Sequence, residues 1–254
     1  IQGFPMSVAT RSSGVKKFSL VSVCALLFGL SASVHAQGLV ITGAIDGPLS
    51  GGVPKAIELC AVADITDLSI YGVGSANNGG GSDGQEFTFP SVAVAAGTYL
   101  YVASESSGFE NFFGFAPDYT SGALSINGDD AIELFTSGSV TDVFGDINVD
   151  GTGQAWEHLD GWAYRNSGTG PDGSTFVLGN WSFSGPNALD GETTNATAAT
   201  PFPIGTYGGC SPSEPSPDVL LSEIVVTPTG GEFVEIHNPT ATSIDLSNGY
   251  LTDA

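Results

Sequence analysis

The chain has 254 residues, 27 of them Asp or Glu and only 5 Lys or Arg, for a formal charge of −22. That balance excludes non-specific binding of DNA or RNA by the chain's own surface, because such affinity comes from Lys and Arg displacing counterions from phosphate. A chain of this length is one or two domains, and its acidity suits solubility, cation binding or a saline exterior.

The only methionine is Met6, so residues 1–5 read as upstream readthrough of a longer reading frame. From Met6 the pattern is that of a secretory signal over residues 6–36. Arg11, Lys16 and Lys17 form a basic start, Leu20 to Leu30 a short apolar run, and Val34-His35-Ala36 the small residues of a cleavage position. The apolar run is too short to span a membrane. Cleavage near Ala36 leaves Lys55 and Arg165 as the only cations against 27 acids, a balance of −25. The expected location is secreted, extracellular or at the cell surface. Cys24 leaves with the signal, so Cys60 and Cys210 remain in a compartment that permits disulfides. A Cys60–Cys210 bridge and two unpaired thiols are both open, because sequence does not fix the distance between them.

Beyond residue 37, runs of Val, Ile, Phe and Tyr alternate with Gly, Ser, Thr, Asp and Asn, the pattern of an all-β domain. Strands are predicted at 39–45, 53–60, 68–73, 86–89, 98–103, 131–135, 140–144, 162–164 and 175–178. Period-2 alternation turns Ile57, Leu59, Ile132 and Leu134 into one core and Glu58 and Glu133 outward. One helix is predicted, opened by a Ser107/Glu110 capping box. Its Phe109, Phe112 and Phe113 lie on one face, suited to plugging the open end of a sandwich. Asn77 to Gly84 reads as a surface loop, since no strand, helix or Lys gives its glycines a phosphate-binding context. Asp129 and Asp130, at a strand start, face opposite ways and suit a turn. From Asn195 to Pro217 the Thr, Ala, Pro, Gly and Ser composition reads as an extended linker, its Pro/Ser-rich part at 208–217.

The loop after Phe144 matches a twelve-residue calcium-loop grammar. Asp146, Asn148 and Asp150 stand at positions 1, 3 and 5, Gly151 at the turn, the Thr152 carbonyl at 7, Gln154 at 9 and Glu157 at 12. Ca²⁺ takes six to eight oxygens, and these groups would supply them as a structural site. Gly153 replaces the usual apolar anchor, and Gly- and Asp-rich sequence also makes metal-free turns, so both readings are open. His158 and His237 have no partners at metal-ligand spacing, and no Ser-His-Asp order, Cys-His pair or zinc spacing occurs.

A repeat organises the whole. Ala56-Ile57-Glu58-Leu59, with Asp67-Leu68-Ser69 and Tyr71 behind it, is echoed by Glu232-Phe233-Val234-Glu235-Ile236-His237-Asn238-Pro239 and then Asp245-Leu246-Ser247 and Tyr250. The later copy, with Leu220-Leu221-Ser222-Glu223-Ile224 before it, resembles the start of a bacterial lamin-tail domain, whose signature is Glu-Φ-Φ-Glu-Φ running into Asn-Pro and then Asp-Leu-Ser, Φ being apolar. The earlier unit is similar to the divergent lamin-tail-like region at the front of secreted bacterial proteins, including extracellular nucleases. Its carriers are Ala56 to Leu59, Gly128 to Leu134, Asp142-Val143-Phe144-Gly145 and Asp160 to Arg165, although Cys60-Ala61-Val62 stands where Asn-Pro would follow. The resemblance implies an immunoglobulin-like β-sandwich over 37–207 and the start of a second over 218–254. It also implies a non-catalytic interaction or adhesion module whose partner is an extracellular protein or glycan. Two alternatives stay open. One is the non-catalytic front of an extracellular nuclease or phosphoesterase whose catalytic domain lies past residue 254; the other is carbohydrate binding through Trp156, Trp162 and Trp181.

Overall fold

The computed structural model describes residues 38–211 and two further strands at 220–225 and 233–237. The signal read over 6–36, the Asn238-Pro239 corner and the Asp245 to Tyr250 echo lie outside the described residues.

The first hairpin sets the parity of everything packed on it. β1 (Leu39–Leu49) pairs antiparallel with β2 (Val53–Ala61), with Ile41 opposite Leu59 and Gly43 opposite Glu58. Thr42 is therefore an extra residue, a bulge. It shifts the alternation, so that Leu39 and Ile41 before it and Ala44 after it enter one core while Val40 and Ile45 enter another. There follow β3 (Tyr71–Ala76), β4 (Phe87–Thr88) and β5 (Tyr99–Ala103), then the single helix α1 (Ser107–Phe113) and β6 (Tyr119–Thr120). The unit is completed by β7 (Ala131–Thr136), β8 (Ser139–Phe144), β9 (Gly161–Arg165) and β10 (Trp181–Phe183). Residues 175–178, expected as a strand, instead lead into a 3-10 turn at Leu178–Asn180, and the strand begins at Trp181.

Two sheets result, six-stranded in the order β10-β9-β1-β2-β5-β6 and four-stranded in the order β4-β3-β7-β8. They form an all-β sandwich. Ile57, Leu59, Leu100 and Val102 from the first meet Val73, Ile132, Leu134 and Phe144 from the second, all buried. Burial of this kind, at roughly 25 cal/mol per Å² of apolar surface, is the main term holding the sheets together.

The outward faces are covered too, which corrects the expectation for Glu58 and Glu133: they are 0% and 2% exposed. Alternation does turn them away from Ile57 and Ile132, but it says nothing about what lies over that second face. Above the six-stranded sheet lies a second core in which Val40, Ile45, Ala56 and Trp162 meet Phe109 and Phe112 of α1 and Phe202 and Tyr207 of the C-terminal segment. The helix thus covers a sheet face rather than plugging an open end. Residues 195–210 are likewise packed rather than an extended linker, because Phe202 and Tyr207 fill that face in spite of a Thr/Ala/Pro composition. Cys60 sits on the same face and is bonded to Cys210, with Cα atoms 5.7 Å apart.

The last two strands, β11 (Leu220–Val225) and β12 (Phe233–His237), form an antiparallel hairpin of their own. Its register repeats the first hairpin pair by pair. Leu220 lies opposite His237, Leu221 opposite Ile236, and after a one-residue shift Glu223 lies opposite Glu235. Ser222 thus occupies the bulge position of Thr42, and Glu235 the position of Glu58.

Candidate functional site

Ionisable groups inside the fold are the first place to look for chemistry, and here most are bound by the fold itself, while His158 Nε2 and Asp129 Oδ1 are buried without a hydrogen-bond partner. Glu58 Oε1 accepts from Thr42 Oγ1 at 2.8 Å and Tyr164 OH at 2.7 Å, while Oε2 accepts from Tyr101 OH at 3.1 Å and Gly205 N at 2.8 Å. Burial raises its pKa against the pull of those donors. Tyr164 OH in turn accepts from Thr206 N at 2.9 Å. Donors from four parts of the chain therefore converge on one carboxylate, which together with Tyr164 ties down the C-terminal segment at 205–206. Glu133 accepts from Ser82 Oγ, which docks the Gly-rich loop on the outer face of the second sheet.

Between the sheets, Arg165 of β9 donates through Nη2 to both carboxylate oxygens of Asp142 of β8 at 2.8 Å, through Nη1 to Asp172 at 2.8 Å and through Nε to Ile41 O at 2.6 Å. Its guanidinium lies 4.4 Å from the Trp181 ring centroid. Asp142 also accepts the amides of Ile41 and Asp172 at 2.9 Å each. A pair this fully hydrogen-bonded is one that burial tolerates. Burial pushes the Asp142 carboxyl up, and the Arg165 charge and the two amides pull it back. At the far end of the β1–β2 hairpin, Lys55 Nζ meets Asp46 Oδ1 at 2.6 Å and Asn127 Oδ1 at 3.2 Å. Asp130 accepts the amides of Asn78 and Asn127 and so staples two turns, the role its sequence position implied. His158 is fully buried beside Phe144, its ring pushed down to a pKa of about 4 by burial.

The loop from Asp146 to Glu157 turns its carboxylates on its own backbone. Asp146 accepts from Asn148 N at 3.0 Å, Asp150 from Thr152 N at 2.9 Å, and Glu157 from Gly153 N at 2.8 Å. Thr152 Oγ1 donates to Asp129 at 3.0 Å. The backbone departs from the calcium grammar at its turn. Gly153 takes the left-handed conformation at φ 74°, whereas Gly151 does not. Gly151 is required for another reason: a Cβ there would stand 2.6 Å from both Asp129 O and the Trp156 ring. Gln154 N bonds Gly151 O at 2.8 Å, and the Gln154 side chain stands exposed. Among the described residues no group of three or more His, Cys, Asp or Glu is placed to hold a metal.

The tryptophans do not form a platform. Trp156, Trp162 and Trp181 are 5%, 8% and 5% exposed, which corrects the reading that they bind carbohydrate: they are core, with Trp162 Nε1 bound to Thr200 O at 2.9 Å.

Among the openings in the described residues is a groove of about 260 Å³ between the start of that same loop and the segment before β10. It is lined by Val143, Gly145, Asp146, Ile147 and Asn148 from the one stretch and by Ser174, Thr175 and Phe176 from the other. Phe176 is held edge-on by Phe144 and Trp156, at 5.8 and 6.1 Å between ring centroids. Ser174 and Thr175 are exposed, and neither hydroxyl is engaged within the described residues. Sequence reading missed this side because 175–178 read as a strand. Its only signal is the pair of hydroxyls beside an aromatic after Pro171-Asp172-Gly173.

No family model, characterised protein or solved structure matches this chain. Among the described residues no helix is long and apolar enough to cross a membrane.

Proposed function

We propose that residues 38–211 are a non-catalytic binding module of a secreted protein, of the lamin-tail kind that its Glu-Φ-Φ-Glu-Φ strands resemble. The observation that carries this reading is the use made of the buried charges. Glu58, Asp142, Asp172 and Arg165 each bond to backbone or to one another across elements, and both oxygens of Glu58 and of Asp142 already accept from donors of the fold. A general acid or base needs a group within reach of a substrate proton, and these four are inside the layers they join. The Cys60–Cys210 bond supports the extracellular side of the reading.

The test pairs activity with binding. The chain is assayed against phosphodiester, glycoside and carboxylic-ester substrates with and without Mg²⁺, Ca²⁺ and Zn²⁺. It is also immobilised and exposed to solubilised cell-envelope material. No turnover above buffer, with saturable retention of a defined component, is expected. Turnover that disappears in a folded Glu58→Gln or Asp142→Asn variant overturns it.

A further inference from the structure

We infer that the groove between residues 145–148 and 174–176 binds a single neutral sugar ring. The inference rests on the binding-module reading and gives that module a ligand class. At about 260 Å³ the groove lies just under the roughly 300–1,000 Å³ of clefts that bury drug-sized ligands, a size for one ring rather than a chain.

A pyranose has an apolar C–H face and a rim of hydroxyls, each both donor and acceptor. The groove offers the complement of both. Phe176 supplies apolar aromatic surface and is fixed by its edge-on contacts with Phe144 and Trp156. Around it stand a carboxylate (Asp146), a carboxamide (Asn148) and two hydroxyls (Ser174 and Thr175). A carboxylate accepts from two neighbouring hydroxyls, a carboxamide accepts from one and donates to another, and the two hydroxyls do either. The wall is preorganised, since the Asp146–Asn148 turn closes on itself at 3.0 Å. Gly145, at φ 80°, brings the loop down against Ala131 and Trp156. Preorganised donors and acceptors lose less on binding.

The same residues argue against other occupants. The lining holds no Lys or Arg, and the two cations of the described residues are internal: Arg165 has a side chain 0% exposed and Lys55 one 15% exposed. A phosphate, sulfate or uronate would meet the Asp146 carboxylate there with no cation to offset it. A cation would find a single carboxylate, Asp146, where Ca²⁺ asks for several oxygens.

The test is a ¹⁵N–¹H NMR titration of the chain with D-glucose, D-galactose and N-acetyl-D-glucosamine, to on the order of 100 mM for a site of millimolar affinity. At least one sugar is expected to give saturable shifts confined to the amides of residues 145–148 and 174–176. Asn148→Ala and Thr175→Val, both at exposed positions, are each expected to weaken it about tenfold, or about 1.4 kcal/mol. An oligosaccharide ending in the preferred sugar binds more tightly than the free sugar if the ligand is a glycan end, and equally if it is the free monosaccharide. No saturable shift at these amides with any of the three sugars, or shifts that persist unchanged in both variants, overturns the site. A chain that fails this titration yet retains an envelope component loses the sugar and keeps the binding module.

Discussion

Two buried side chains answer acid in opposite senses. His158 is fully buried, and its ring protonates only near pH 4 in the folded chain against an ordinary 6.5. As pH falls below about 6.5 the unfolded chain takes up a proton that the folded chain refuses until about 4, so this group removes stability across that window. Glu58 acts the other way. Its raised pKa means that the folded state holds the proton more tightly, so its contribution is complete below the ordinary 4.5 and is lost as pH rises through the raised value. Replacing His158 with Phe isolates the first effect. Denaturant unfolding at pH 7 and pH 4.5 is expected to show the parent losing on the order of 2–3 kcal/mol relative to His158→Phe. Parallel losses in the two proteins would show that the ring is not excluded from protonation. Neither group was legible from its own neighbourhood in the sequence. Period 2 correctly paired Ile57 with Leu59 and turned Glu58 the other way, but the donors over Glu58 come from Tyr101, Tyr164 and Gly205, the last of them 147 residues along the chain.

Among the elements, strands carried by alternation were readable and everything placed by a distant partner was not. The hairpin of β1 and β2 follows from its apolar runs and the turn between them, and Ile132 and Leu134 fall in the core where alternation puts them. The bulge at Thr42, the 3-10 turn at Leu178 and the packing of residues 195–210 depend on tertiary contacts that have no local period. The start of α1 shows the same limit on a smaller scale. A Ser107/Glu110 capping box is the obvious sequence reading, yet Ser107 is already the first helical residue, and Ser106 before it makes no side-chain cap. Glu105 takes that role, accepting from Gly108 N at 2.8 Å and Ser107 Oγ at 3.0 Å. Glu105→Ala is accordingly expected to cost about 1 kcal/mol in denaturant unfolding, the usual value of a lost cap. Glu110→Ala, on an exposed position, should change stability by less than about 0.5 kcal/mol. The reverse order would restore the capping box.

At the scale of the whole molecule the acidity is organised rather than merely abundant. Both cations of the described residues are engaged inside, Lys55 by Asp46 and Arg165 by Asp142 and Asp172. Among the described residues the exposed charges are therefore nearly all acidic, Asp83, Glu110, Asp118 and Asp190 among them. A specific calcium site would show through this field as a rise in melting temperature, because a ligand bound only by the native state must stabilise it. With Asp146, Asp150 and Glu157 turned onto their own loop, the thermal midpoint is expected to coincide in EDTA and in millimolar Ca²⁺. A rise in Ca²⁺ that Asp150→Ala abolishes would return the calcium loop to the structure. The groove, unlike the loop, was only half visible beforehand: Asp146 and Asn148 stood out by spacing, whereas Ser174 to Phe176 come to face them only through the packing of Phe176 on Phe144.

The Cys60–Cys210 bond spans 150 positions of sequence, and it gives the module an unusual response to tension. Pull applied at residue 38 and at residue 211 runs along β1 and β2 to Cys60 and crosses directly to Cys210, so the chain between the two sulfurs carries no load. Only the first hairpin is then free to peel, paying out roughly 75 Å of slack at full extension, against nearly 600 Å for the same span with the thiols reduced. We predict that difference for single-molecule force spectroscopy of the oxidised and reduced chain; an equal contour gain in the two states would rule it out. The module would behave under strain as a short tether, its extension capped by that bond while its ends are drawn apart.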